Sequence, residues 1–278
     1  MKGMFGDAER TGNFPSGLLV AAAILVCVVF LTAQDGGIRT KDKDQAAKDA
    51  IDAAHKVLGG AEKIDGIKSL IIKGTQTSTA VTYGYRYETL GIMEGKDLTA
   101  EFEIRILPPD RYIEIVRYPD RTIRRGVSQD KVLSETLATG VALEIRMWRE
   151  RVECTHILLG TLMKSGPMRV TLSSTKDAGI FDLDMYAGSR WGEVPSRIQI
   201  DPRTGYPSSI AYEENNSVGG GETVYQFSSE RFSVDGFMFP RFINTHRTLA
   251  GPMRGSVVTV EKRIEEVRIN PELSPKDF

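Results

Sequence analysis

A chain of 278 residues balances 36 Lys and Arg against 37 Asp and Glu, a formal net charge of −1 at pH 7. That balance offers no long-range field to draw nucleic acid and no acidic or basic tail. The hydrophobic fraction of 41% is enough for a real core, in one large β-rich domain or two small ones.

The first distinctive element is apolar. Leu18 to Ala33 reads LLVAAAILVCVVFLTA and carries no charge; Lys2 and Arg10 precede it and a polar stretch follows. This is the pattern of a secretory signal ending near Ala33. Leu31 stands where a small residue is usual before the cut, and Asp7 and Glu9 lie in the leader. A retained membrane anchor therefore stays open beside cleavage, although a helix of that length spans only about 24 Å. Either outcome places the rest of the chain outside the cytoplasm. Cys27 follows Val26, a poor neighbour for lipid attachment, and Cys154 is the only other thiol, so the mature chain has no internal disulfide.

Residues 34–44 read as a linker. Asp44 can cap a helix whose apolar face is Ala47, Ala50, Ile51, Ala54, Val57 and Leu58, and Gly59-Gly60 ends it. Ala61 to Asp65 makes one more turn. From Ile67 the period changes to two, with strands expected at Ile67–Thr77, Thr82–Glu94, Ala100–Leu107, Arg111–Tyr118 and Arg121–Val127. Ser128–Ser165 loses the alternation. There Leu137, Val141, Ile145, Trp148, Val152, Leu159 and Leu162 recur at helical spacing, with Gly140 as a hinge. Its flank offers Arg146–Glu150 and Arg149–Glu153 as supporting pairs. Strands resume at Met168–Ser174, Ile180–Ala187, Ser196–Asp201, Ser208–Glu214, Glu222–Ser233, Met238–Leu249 and Ser256–Ile269, separated by turn residues such as Asn215–Gly221 and Asp235-Gly236. The sum is an α+β chain, mostly antiparallel β, of about eleven or twelve strands. A sheet that large must curl or close, and the two apolar-faced helices are available to fill its concave side.

Catalytic grammar is sparse. No nucleophile elbow, zinc-protease helix, phosphate loop or dinucleotide fingerprint is present. Glu153-Cys154-Thr155-His156 contains half of a di-iron ligand set, but a second copy is missing. Cys154 and His156 diverge on a helix, so neither a metal nor a cofactor is expected. His55 and His246 read as packed or solvated. What the sequence does supply is apolar and aromatic material on alternating strands, suited to enclosing an acyl chain. The cavity candidates are Leu137, Val141, Ile145, Trp148, Val152, Tyr83, Tyr85, Phe102, Tyr225, Phe227 and Phe239. Arg241 and Arg247 are candidate head-group contacts.

The phrases VLGG…GIKSLIIKG, PPDRYIEI, IDPRTGYPSSIAYE, DGFMFPRFINTHR and IEEVRINPELSPKDF together resemble bacterial exported proteins of the LolA/LolB-like lipoprotein-sorting group. The resemblance runs from about Ala46 to Phe278. It implies an incomplete antiparallel barrel over 45–278 with helices plugging its concave side; the chain departs from that pattern in being longer than a typical soluble carrier, with a long helical insert at 128–165. It also implies a non-enzymatic periplasmic protein that binds lipid acyl chains or lipoproteins in outer-membrane biogenesis and transport, without nucleic acid as a partner. Two alternatives stand beside it. One is an anchored interaction module whose barrel is filled; the other is an exported hydrolase.

Overall fold

The computed structural model describes residues 38–83, 97–108, 110–129, 131–133, 143–186, 193–216, 219–251 and 254–278. The apolar run at 18–33 lies outside them.

Helix α1 spans Gln45–Leu58 and buries Ala47, Ile51, Ala54 and Leu58, one stripe at helical spacing. The Asp44 carboxylate accepts from the Ala47 amide at 3.0 Å and, through its other oxygen, from the Ser174 amide at 2.6 Å. The N-cap thus also ties α1 to the sheet. Gly59 and Gly60 take positive φ at 138° and 96°, which ends α1 and starts the short α2, Ala61–Asp65.

The first run of strands is β1 (Ile38–Thr40), β2 (Leu70–Tyr83), β3 (Leu98–Leu107), β4 (Arg111–Arg117), β5 (Thr122–Ser128) and β6 (Lys131–Val132). Helix α3, Leu143–Leu162, follows. Then come β7 (Arg169–Ser174), β8 (Ile180–Tyr186), β9 (Glu193–Ile200), β10 (Pro207–Asn216), β11 (Gly219–Phe227), β12 (Arg231–Val234), β13 (Phe237–Pro240), β14 (Phe242–Gly251) and β15 (Arg254–Ile269). Among the described residues thirteen strands make one sheet in the order β1-β7-β8-β9-β10-β11-β14-β15-β2-β3-β4-β5-β6, and β12-β13 form a separate hairpin. All neighbours are antiparallel except β1 and β7. The long β15–β2 ladder, from Gly255↔Tyr83 to Ile269↔Leu70, welds the two meanders together.

The two ends of this order, β1 and β6, do not pair with each other, so the described sheet is open. It is also strongly bent. Glu153 of α3 bonds Arg125 on β5, while His156, three residues on, stacks against Tyr225 on β11. Three helical residues advance about 4.5 Å. Six strand spacings separate β5 from β11, about 29 Å in a flat sheet. Only a sheet wrapped around α3 satisfies both contacts. The connectivity demands such a helix, because α3 links β6 at one end of the order to β7 near the other. One apolar core unites the sheet's inner face with α1 and α3.

Several expectations change. The strands expected at Ile67–Thr77 and Thr82–Glu94 are not separated: β2 runs unbroken through Ser78, Thr79 and Ala80, because β15 pairs with it along its whole length. Residues 84–96 lie outside the described residues. The presumed linker contains β1. Gly219-Gly220-Gly221 belongs to β11 rather than to a loop, since β10 pairs with all three and β14 flanks Gly221. Glu222–Ser233 divides into β11 and β12, and Met238–Leu249 divides at Arg241, whose amide donates to the Glu230 carbonyl at 2.8 Å. That kink throws out the β12-β13 hairpin, turned by Asp235 (φ 51°) and Gly236 (φ 83°). The helix expected from Ser128 starts at Leu143 among the described residues, and Lys131–Val132 is a strand.

Candidate functional site

The inner face is set by strand register. Ile72, Ile104 and Glu114 lie in one row across β2, β3 and β4, and Tyr225 and Thr245 lie in another across β11 and β14. Much of it is apolar: Ile72, Phe102, Ile104, Ile106, Ile198, Ile210 and Ile243 are all buried. α3 lies over this floor and touches β4, β5 and β6 on one side and β10, β11 and β13 on the other. At its C-terminal half the fit is close. A Cβ added to Gly160 would stand 1.8 Å from the Phe227 ring.

A polar seam interrupts the floor beneath the middle of α3. Glu114 is buried on β4, where the Lys262 ammonium on β15 reaches it at 2.9 Å. Half-buried Arg125 on β5 bonds Glu114 and also forks onto Glu153 of α3 at 2.9 and 2.5 Å. Burial alone would raise the Glu114 pKa, but the charges of Arg125 and Lys262 overrule it and hold the carboxyl down at about 2. Glu150 lies within reach of Arg125, Glu153, Glu114 and Arg247; burial dominates and pushes it up to about 7. Arg247 of β14 donates from Nε to Thr223 Oγ1 at 3.1 Å and from Nη2 to the Tyr212 hydroxyl at 3.5 Å.

His156 completes the seam. It is fully buried, with its ring centroid 4.9 Å from that of Tyr212 and 5.2 Å from that of Tyr225. Among the described residues neither ring nitrogen has a hydrogen-bond partner, and burial pushes its pKa down to about 3, so the ring is neutral. The buried Tyr112 hydroxyl, Gln76 Oε1 and Trp148 Nε1 are likewise unpartnered among the described residues. Such atoms are uncommon in protein interiors, since each forgoes the hydrogen bond it made to water.

The predicted cavity residues separate into three groups. Val152, Phe102, Tyr225, Phe227 and Phe239 are buried in the common core, and Trp148 packs against it. The backbones of Ile145 and Tyr83 lie in α3 and β2, but their side chains are outside the described residues, as are Leu137, Val141 and Tyr85 altogether. Of the two arginines, Arg247 lies in the seam. Arg241 does not join it: its guanidinium stacks 4.4 Å over Phe232, donates to the Ile264 carbonyl at 3.2 Å and faces Glu230 at 3.6 Å.

Sequence reasoning missed the ionic residues. Glu114, Arg125 and Lys262 each occupy an inward register position, and the signal was a charge in step with apolar neighbours, as in Tyr112-x-Glu114-x-Val116. Glu153 was read as an intrahelical partner, whereas it faces the sheet. Cys154 is buried and its thiol is pushed up by burial, away from reactivity. His55 donates from Nε2 to the Met163 carbonyl at 2.8 Å and so fastens α1 to the end of α3. On the outer face, Val224, Gln226, Asn244, His246, Thr259 and Glu261 surround an open depression of about 310 Å³.

No family model matches the chain, and no curated protein matches it. Among solved structures it is similar to a LolA superfamily protein from Nitrosomonas europaea, at 11% identity and a TM-score of 0.45, over 84% of this chain and 97% of that one. It is also similar to lipovitellin, in a structure titled for its lipid–protein interactions, at 11% identity and a TM-score of 0.30, over 74% of this chain and 26% of that one. A chain of the MucA/MucB complex from Pseudomonas aeruginosa shares 11% identity at a TM-score of 0.16, over 81% of this chain and 100% of that one.

Proposed function

We propose that this chain is an exported, periplasmic protein that binds lipid or lipoprotein acyl chains between α3 and the concave face of its open sheet. One observation carries the reading: a single helix crosses an apolar, unclosed inner wall and touches strands on both sides of it. A helix packed onto such a wall can be exchanged for an acyl chain of similar apolar character. Each buried methylene contributes about 0.8 kcal/mol before the cost of ordering the chain. The uncharged run at 18–33 supports export, with or without a retained anchor.

Two measurements test this. Protein purified from its own envelope should carry lipids detectable by mass spectrometry. In a Trp191→Phe background, Trp148 emission should shift when laurate is added, because Trp148 packs against the core at the edge of the proposed site. Absence of both effects refutes the reading.

A second reading draws on Gly160 and Phe227. Their contact leaves no gap at that end of α3, which favours a filled barrel serving as an interaction module. In that case neither lipid nor a fluorescence shift appears, and in-cell crosslinking captures a protein partner instead.

A further inference from the structure

Helix α3 is seated unevenly. Residues 147–151 are all half-buried, and residues 152–163 are all buried. The buried half is also pinned from outside. Gly160 lies against the Phe227 ring, His55 of α1 donates to the Met163 carbonyl at 2.8 Å, and the Lys164 ammonium, just beyond the helix, donates to the Ile64 carbonyl of α2 at 2.9 Å. Where the two halves meet, Glu153 takes both prongs of the Arg125 fork. Backbone that buries little apolar surface opens at low cost, so the first half can lift while the second stays in the core.

Glu150 belongs to the half that can lift, yet its Oε2 is shut off from solvent and has no partner among the described residues. Arg125 of β5, Glu114 and Tyr112 of β4, Arg247 of β14, and Glu153 and Cys154 of α3 face it. Glu114 and Glu153 already hold Arg125. A third negative charge beside them, cut off from water, is disfavoured, and burial holds the Glu150 carboxyl up at about 7. Seated below that pH, Glu150 keeps its proton; lifted into water, it ionises at its ordinary value of 4.5.

We propose that the first half of α3 is a pH-dependent flap hinged at Val152 and Glu153: acid holds it on the sheet through neutral Glu150, and rising pH releases it as Glu150 ionises in water. The released half uncovers the inner wall beneath it and leaves His156 and the core in place. Its open population rises up to about tenfold per pH unit between pH 4.5 and 7 and levels off above.

Hydrogen exchange of the full chain tests this with no ligand present, so the outcome is separate from the acyl-chain reading. Protection of the amides of residues 148–151, corrected for intrinsic rates, should fall roughly 20-fold from pH 5 to pH 6.5. That of residues 157–162 should stay nearly level, because those amides exchange only when His156 is exposed as well. Glu150→Gln, neutral and of the same shape, should hold the first group level too. Equal protection in both halves overturns the flap. A wild-type protection that does not fall, or a fall that survives in Glu150→Gln, overturns Glu150 as its latch.

Discussion

Lys262 on β15 and Glu114 on β4 meet at 2.9 Å although β2 and β3 run between their strands. Three strand spacings amount to about 14 Å in a flat sheet. Curvature shortens that distance. So do the small residues Gly74 and Ala100, which lie on the inner face of the intervening strands and leave room for the lysine stem. The pair therefore braces the bend. Removing the carboxylate strands Lys262 and takes from Arg125 one of its two carboxylates, so Glu114→Ala should cost roughly 3–5 kcal/mol. Lys262→Met leaves Glu114 with Arg125 and should cost less. Urea unfolding of both single variants and of Glu114→Leu/Lys262→Met should give a coupling energy of about 1 kcal/mol or more. Strict additivity would show that the two residues do not cooperate.

Gly160 reports whether α3 is truly seated on the sheet. In an exposed helix, Gly→Ala gains up to about 1 kcal/mol. Here the added methyl meets the Phe227 ring at 1.8 Å, so Gly160→Ala should destabilise by roughly 1–3 kcal/mol. Phe227→Leu in the same chain should restore much of that loss. A stabilised Gly160→Ala in thermal melts would mean that the helix stands off the floor.

Gly74 shows why one register position admits no side chain. A Cβ there would lie 1.9 Å from the Arg263 carbonyl oxygen, beside the bulge where β15 inserts an extra residue between Ile264 and Glu266. Gly74→Ala should therefore lower the unfolding free energy by about 1 kcal/mol or more, and with it the urea midpoint. An unchanged midpoint would show that the bulge can slip to make room.

The legible part of this fold was its local chemistry. Asp44, Gly59 and the alternating Phe102-Ile104-Ile106 each announced their element through a cap, a left-handed turn or a period of two. Boundaries failed where neighbours decide. The Thr-Ser run of β2 and the three glycines of β11 have weak strand character of their own, and the ladders on β15, β10 and β14 hold them extended. The aromatic candidates Phe102, Tyr225 and Phe227 were found because inward aromatics follow the pleat. The seam was not, because Glu114, Arg125, Lys262 and Glu153 come together from four elements far apart in sequence. A charge at an inward position states only that a partner exists, not where it lies.

The seam also makes stability depend on pH, through opposing contributions. Glu150 faces Arg125 from β5, Glu114 and Tyr112 from β4 and Arg247 from β14, with Glu153 beside it on α3. Its folded pKa of about 7 exceeds the ordinary 4.5, so the folded chain keeps a proton that the unfolded chain releases. Its contribution is complete below pH 4.5 and is lost as pH rises to about 7. His156 faces Tyr212 and Tyr225, and its folded pKa of about 3 lies below the ordinary 6.5. Its contribution is complete above pH 6.5 and is lost as pH falls to about 3. Between pH 4.5 and 6.5 the two slopes oppose each other, each up to roughly 1.4 kcal/mol per pH unit, and nearly cancel. Glu114, held at about 2 against 4.5, adds a loss only below pH 4.5. Wild-type stability from urea melts should thus be nearly level from pH 4.5 to 6.5 and fall steeply in acid. Glu150→Gln should convert that plateau into a rise with pH, and His156→Leu into a decline. If Glu150→Gln leaves the plateau level, Glu150 does not hold its proton beneath α3.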